Sequence, residues 1–551
     1  MFNHYSLFSA IAAAVPDREC VVFRDRRLTY ADVLDRAHRL AEFLLSQGVT
    51  LHKERDALER WKSGQDHVAL YLHNGNEYIE ATFGANAARA VPFNVNYWYV
   101  EDELTYLLDD ADAAVVVYHA TFAPKLAAVV DRLRRRPLLI QVDDGSGNPL
   151  LPGAYDYEAV LAAGSGAAPD TEPSPDDLYI IYTGGTTGMP KGTLWTQAEL
   201  FAGAIAPALE AYVADMTSMQ CLVDTMTALP ATPLLPMPPL MHGSAQWVAF
   251  LGLFSGATIV IQGVVDRFDA ADVLTTLARE RVVVTNIVGD AFARPLCDEL
   301  ERGSYDLSAL TSMMSGGAVL SPGMKRRLLD LLPHVVITDA VGSSESGSLL
   351  SHVSQSGGDT SQGVFAALRD TCVVNEAIDE FLSPGHDGVG WLARRGPIPL
   401  GYLGDAAKTE RTFPVVAGQR IVVPGDRARL RGDGLIELLG RDSVTINSGG
   451  EKVFAEEVEQ ALVCHPDVVD VLVVGRPSER WGQEVVAVVA LRPESTATDA
   501  DLVATAAARL ARYKLPKAVV RVDTVRRGPA GKADYGWARE VAVQASEAIA
   551  R

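Results

Sequence analysis

The sequence predicts an α/β protein that ends in a smaller α+β unit. Three observations carry that expectation: strand-like and helix-like stretches alternate up to about residue 350, a glycine-rich turn follows one buried strand, and the patterning changes twice beyond that point. With 551 residues, 48% hydrophobic against 22% charged, the chain has ample material for a core, and its composition excludes wholesale disorder.

Taken in order, residues 6–15 (SLFSAIAAAV) are apolar, but no Lys or Arg precedes them and Pro16-Asp17 follows. They read as a first amphipathic helix and not as a secretion signal. Residues 28–45 carry apolar side chains at helical spacing, and 68–72 (VALYL) reads as a buried strand ahead of a helix over 77–88. Further strands are expected at 113–118, 137–142, 257–262, 282–288 and 334–338. Between them lie a helix over 269–280, which Asp269 can cap, and another opened by Ser321-Pro322. Residues 351–363 are polar and glycine-rich, which predicts a loop, and from there to 439 short segments punctuated by Gly and Pro suggest a small antiparallel β unit. Residues 440–450 read as a glycine-rich link before a helix at 455–463. Strands at 469–474, 485–491 and 518–522 and a helix over 500–512 then complete a compact terminal unit.

The charge balance excludes whole classes of partner. Forty-nine Lys and Arg against 70 Asp and Glu leave a net charge of −21, which repels nucleic acid and anionic bilayers. No apolar run reaches the ~20 residues of a spanning helix, so stable membrane insertion is not expected. The five cysteines are odd in number and lack CxxC spacing, the pattern of reduced thiols in a cytoplasmic protein.

The strongest local signal is Tyr182-Thr183-Gly184-Gly185-Thr186-Thr187-Gly188-Met189-Pro190-Lys191-Gly192, directly after the strand-like residues 178–181. Glycines allow close backbone approach, exposed amides and hydroxyls donate to phosphate oxygens, and Lys191 supplies a cation. Walker spacing is absent. A plain connecting turn would need one or two glycines, and not this combination of Thr, Pro and Lys.

This stretch resembles the phosphate loop of the adenylate-forming superfamily, which includes acyl-CoA synthetases, peptide-synthetase adenylation domains and firefly luciferase. Other motifs follow in the family's order: Pro239-Leu240-Met241-His242-Gly243, Ser315-Gly316-Gly317-Ala318, Val341-Gly342-Ser343-Ser344-Glu345, Val423-Pro424-Gly425-Asp426, Gly440-Arg441 and Gly531-Lys532. The resemblance implies a large N-terminal domain over 1–441, made of two α/β sheet subdomains and a small β-barrel-like subdomain at about 351–439. A mobile α+β domain over 442–551 would follow.

The resemblance also implies roles. Thr183, Gly184, Gly185, Thr186, Thr187 and Lys191 would hold ATP phosphates, with Thr187 also serving catalysis. Ser315, Gly316, Gly317, Ala318, Asp339, Val341, Gly342, Ser343 and Ser344 would surround the adenine. Glu345 would hold Mg²⁺, a hard oxygen ligand for a hard ion. Asp426 can accept from both ribose hydroxyls, and Arg441 offers a fork of donors to ribose or phosphate. His242 would gate the acid pocket. Lys532 would neutralise the charge that builds up as two anions combine. Gly449, Gly450 and Lys452 would lie along the CoA arm after the terminal domain rotates. Two positions depart from the family pattern: Val341 replaces an adenine-stacking aromatic, and Ser443 stands at the hinge, where serine can absorb a φ/ψ change.

The narrower match of 440–459 is to the fatty-acyl-CoA synthetase branch typical of actinobacteria, some members of which activate sterol side chains. The expected function is ATP-dependent activation of an apolar carboxylic acid to an acyl-adenylate, then transfer to CoA. Residues 234–241 (LLPMPPLM) suggest an apolar, adaptable wall for that acid. A carrier-protein thiol, an amine, or nitrite activation with diazotisation of an aryl amine remain as alternative chemistries. A non-catalytic nucleotide-binding protein is a further alternative, disfavoured by Lys191, Glu345, Asp426, Arg441 and Lys532 occurring together. A homodimer is left open.

Overall fold

Two extended sheets and a third, smaller one organise the chain. In the computed structural model the described residues are 2–185, 188–360, 363–386, 388–441, 444–448, 451–478, 482–510, 512–528 and 531–550. One sheet runs from the edge strand Arg26–Thr29 through Glu19–Phe23, Thr258–Ile261, Pro233–Pro236, Val284–Ile287 and Ser312–Gly316 to Val336–Ser343. From Glu19–Phe23 to Val336–Ser343 the pairings are parallel, the mark of helical crossovers. The second sheet is ordered Gly401–Tyr402, Gly188–Thr196, Leu178–Gly185, Val91–Asn94, His67–Tyr71, Ala113–His119, Leu138–Val142 and Tyr155–Asp156.

Helix Asn76–Ala87 is buried along every residue, so its hydrophobicity runs all round and not along one stripe. Of its two buried acids, Glu77 and Glu80, the second is fully buried and is matched by three neighbours. Asn76 and Tyr157 donate to it at 2.7 and 2.9 Å, and Arg36 Nε lies at 2.8 Å. A buried carboxylate persists only when paired in this way. The expected caps are present: Asp269 accepts from Asp272 N, and Ser321 accepts from Met324 N ahead of Pro322.

The structure corrects the sequence reading in several places. Residues 351–354 are not loop: strand Gly347–Ser354 pairs antiparallel with Val336–Ser343, placing Ser351 opposite Ala340. An antiparallel strand needs only one buried face, so its Ser and His side chains hid it. That strand continues through Val364–Ala367, Ile436–Arg441, Asp426–Leu430, Gly390–Arg394 and Thr371–Val374, so the β-rich stretch is hydrogen-bonded into the first sheet. The glycine-rich link also carries strands, Thr445–Ser448 and Glu451–Phe454, which pair as a hairpin. The helix expected over 500–512 stops at Ala507. A final helix, Tyr535–Ala550, was not anticipated.

The terminal sheet joins that hairpin to Gly482–Leu491, Val468–Ser478 and the parallel strand Ala518–Val522. Its alternating Val side chains at 471, 473, 485, 487 (Ala) and 489 form one core face, and 472 (Leu), 474, 486 and 488 form the other. Among the described residues no helix is long and apolar enough to cross a membrane.

Candidate active site

The Gly/Thr/Lys segment is the end of a β-hairpin and not a free loop. Strands Leu178–Gly185 and Gly188–Thr196 pair with Thr183 opposite Lys191 and Gly185 opposite Gly188. Gly184 and Gly185 therefore sit on the first strand, while Thr186 and Thr187 lie outside the described residues. A Cβ on Gly192 would stand 2.9 Å from the Tyr182 ring, so the close pairing requires glycine there. Asn94, which the sequence reading missed, locks the hairpin: it donates to Tyr182 O at 2.8 Å and Met241 O at 2.7 Å and accepts from Tyr182 N at 2.7 Å. One amide thus ties the hairpin to the 239–243 motif.

Strand Gly401–Tyr402 adds to the hairpin's outer edge, with Tyr402 opposite Thr193. It brings two residues that no local motif announced. Asp405 holds Lys191 in an ion pair at 2.8 Å, and the Tyr402 hydroxyl donates to Glu345 at 2.9 Å. The turn bearing Glu345 is braced from below. Trp195 donates to Ser344 O at 2.8 Å, and buried Arg394 donates to Ser346 O and Gly203 O at 2.7 Å each. Gly342 crosses Gly347 so closely that a Cβ would fall 2.1 Å from its carbonyl oxygen.

Ser315, Gly316, Gly317 and Ala318 end the strand Ser312–Gly316 next to Asp339 and Ala340, in register Ser315 to Asp339. Among the described residues the Ser315 hydroxyl and the His242 Nε2 are buried without a hydrogen-bond partner, as are the Tyr71 and Thr276 hydroxyls. The Asp339 carboxylate is not available in the same way, because Lys325 pairs with it at 2.6 Å. Its contribution to a nucleotide would come from the backbone. Val341 is half-buried and packs into the cluster of Leu349, Leu350 and Phe365.

His242 begins the helix Gly243–Phe254, and burial, then the charge of Lys532, push it down to about 4. It is a neutral imidazole at pH 7. Lys532 itself is lowered from the usual lysine range, first by burial and then by the charge of Arg441, with Glu345 opposing. The tertiary structure thus brings His242, Glu345, Arg441 and Lys532 into one electrostatic neighbourhood. Asp426 and Arg441 are cross-strand neighbours and pair at 3.1 Å, and that carboxylate is the first reason the arginine is raised.

The terminal unit is docked so that Gly531 packs against Val288 and Ala291, while Arg294 donates to Val469 O at 2.8 Å. At this junction Glu456 packs its carboxylate against Gly440 and accepts from the Arg441 backbone. Burial, then Asp426, push Glu456 up to about 7. A carboxyl raised in this way binds its proton more tightly when docked than when exposed. Its contribution to docking is therefore complete below about 4.5 and lost as pH rises through about 7. Hydrogen-exchange protection around Gly440, Arg441 and Glu456, corrected for the intrinsic base-catalysed rate, should fall from pH 6 to 8, and Glu456→Gln should flatten that dependence.

Gly449 and Gly450 lie outside the described residues. Lys452 pairs through its backbone with Asn447 on the hairpin. Among the described residues no group of three or more His, Cys, Asp or Glu could by itself enclose a metal. The Tyr402 hydroxyl donates to Oε1 of the Glu345 carboxylate.

Comparison with known proteins agrees with this geometry. Residues 8–403 match the AMP-binding enzyme family and 457–532 match the AMP-binding enzyme C-terminal domain. The chain is 52% identical to the medium-chain acyl-CoA ligase Mig of Mycobacterium avium over 98% of both proteins. It is 40% identical to a medium/long-chain-fatty-acid–CoA/3-oxocholest-4-en-26-oate–CoA ligase of Mycobacterium tuberculosis, covering 96% of this chain and 94% of that one. Among solved structures, the anthranilate CoA ligase AuaEII aligns with a TM-score of 0.82 at 19% identity, over 99% of this chain and 98% of that one. ATP-bound MatB from Rhodopseudomonas palustris aligns at 0.80 and 23%, over 98% and 99%. A chain that carries the Tyr182–Gly192 hairpin, the braced Glu345 and the docked Lys532 thus belongs to the adenylate-forming AMP-binding enzyme family.

Proposed function

We propose that the protein is an AMP-forming acid–CoA ligase acting on a medium-chain or larger apolar carboxylic acid. The observation that carries this reading is the joint placement of Lys532 with Glu345, Arg441 and His242, in a chain so similar along its length to the M. avium ligase. The 40% identical M. tuberculosis and Rhodococcus rhodochrous ligases, whose names include 3-oxocholest-4-en-26-oate, extend the acid class toward sterol side chains. Met237 and Met241 of the apolar 234–241 stretch are buried in two separate core clusters.

The carboxylate oxygen attacks the α-phosphorus of ATP, forming the acyl–AMP anhydride and releasing pyrophosphate. Lys532 neutralises the two anions as they meet. Lys191 faces the departing phosphates, Asp426 and Arg441 orient the ribose, and neutral His242 shapes the acid's entrance. Mg²⁺, held through Glu345, would spread phosphate charge. Rotation of the 442–551 domain about Ser443 then withdraws Lys532 and presents Gly449, Gly450 and Lys452 to CoA. The thiolate attacks the acyl carbon and AMP leaves.

Mass spectrometry of a mixed acid library incubated with ATP, Mg²⁺ and CoA tests the reading. CoA thioesters of apolar acids are expected. AMP formed without any thioester would overturn CoA as acceptor and send the assay to amines, carrier protein and nitrite. Tyr402→Phe should raise the Mg²⁺ needed for half-maximal rate about threefold to tenfold, the net effect of removing one ordinary hydrogen bond. The melting temperature should change little.

A further inference from the structure

We propose that Lys408 is a second cation for the β- and γ-phosphates, acting beside Lys191 on the pyrophosphate leaving group. The inference rests on the assignment of the Tyr182–Gly192 hairpin as the phosphate site.

Lys408 lies in the first turn of the helix Ala406–Thr412, whose N-cap is Asp405. The Asp405 carboxylate is divided: Oδ1 accepts from Lys408 N at 2.9 Å, and Oδ2 pairs with Lys191 Nζ at 2.8 Å. The Lys408 side chain rises over Tyr402, with Nζ 4.1 Å from the ring centroid, and that ring's hydroxyl is bonded to Glu345. The ammonium is therefore near enough to feel both Lys191 on the hairpin and Glu345 on its braced turn.

The charges around Lys408 are Asp405 and Arg411 from its own segment, Lys191 from the hairpin, and Glu345 from the turn. Among the described residues it forms no ion pair within 4.0 Å, although both carboxylates are near. Asp405 is already divided between a helix cap and Lys191, and Glu345 is shared with Tyr402. Holding a half-buried ammonium beside a second one is unfavourable, and burial followed by Lys191 lowers Lys408 from the usual lysine range. A multiply charged anion entering between the two lysines reverses that penalty. Aromatic packing alone would need no second cation at this place, and a cation–π contact at a half-exposed site is worth only about 0.5–1 kcal/mol.

Isothermal titration of inorganic pyrophosphate with Mg²⁺, and separately of AMP, decides the matter in the wild type and in Lys408→Met, Lys408→Arg and Lys191→Met. Methionine keeps an unbranched stem on the Tyr402 ring and removes the charge. Lys408→Met should weaken pyrophosphate about tenfold and leave AMP within about twofold, and Lys408→Arg should recover most of the loss. In turnover, the KM for ATP should rise more than kcat falls. If Lys191→Met loses pyrophosphate while Lys408→Met binds it like wild type, Lys408 has no phosphate role. If Lys408→Met weakens both ligands equally and lowers the melting temperature, the residue is only a brace for Tyr402, and the proposal fails. If Lys191→Met also binds pyrophosphate normally, the phosphate-site assignment is itself wrong.

Discussion

Lys532→Ala should lower the rate of acyl-adenylate formation by about two to three orders of magnitude, the range for removing one preorganised charge from a transition state. The ammonium feels the charges of both Arg441 and Glu345, so it acts where charge develops between the two anions. The fold should survive, because Lys532 stands in the short turn closed by the Gly528 N to Lys532 O bond, which an alanine can also make. Acid-dependent exchange of pyrophosphate into ATP measures the first half-reaction directly. Thioester formation from synthetic acyl-adenylate and CoA measures the second, which should stay within a few-fold of wild type. A variant that exchanges pyrophosphate at the wild-type rate would remove Lys532 from the mechanism. Equal loss of both half-reactions would point to a misdocked terminal unit.

Glu345→Gln should be the next most damaging change, with kcat down by about a hundredfold and a steep new requirement for Mg²⁺. Glutamine keeps the volume and can still accept from Tyr402, so the turn held by Trp195 and Arg394 should remain in place. What disappears is the negative charge. The near-UV circular dichroism of the variant should therefore match wild type. If the rate falls but the Mg²⁺ dependence is unchanged, Glu345 serves through Lys532 or Arg441 and not through the ion, since both feel its charge.

Much of the site was legible because its chemistry is carried by short contiguous motifs. The Tyr182–Gly192 stretch, the Gly342–Glu345 turn, Asp426 with Arg441, and Gly531-Lys532 each combine a close-packing glycine with a charged or hydroxyl side chain. The partners that hold them were not legible. Tyr402, Asp405, Arg394 and Asn94 each act on a residue far away in the chain: Tyr402 is 57 positions from Glu345, and Asp405 is 214 from Lys191. Nothing around Tyr402 or Asn94 distinguishes it locally from an ordinary strand residue. Strand Gly347–Ser354 escaped for a related reason, since half its side chains face away from the core and carry no hydrophobic signal.

By itself the sequence determined the alternation of elements, the family and the residues able to do chemistry, because periodic burial, turn glycines and charged motifs are local properties of the chain. Only the tertiary structure decided which charges meet. Lys532, near the C-terminus, meets Glu345 and Arg441 because the terminal unit docks Gly531 against Val288 and Ala291, and Lys408 feels Lys191 because an edge strand pairs with the Tyr182–Gly192 hairpin. Those are consequences of long-range packing, and electrostatic strength depends on the distances and burial that packing sets.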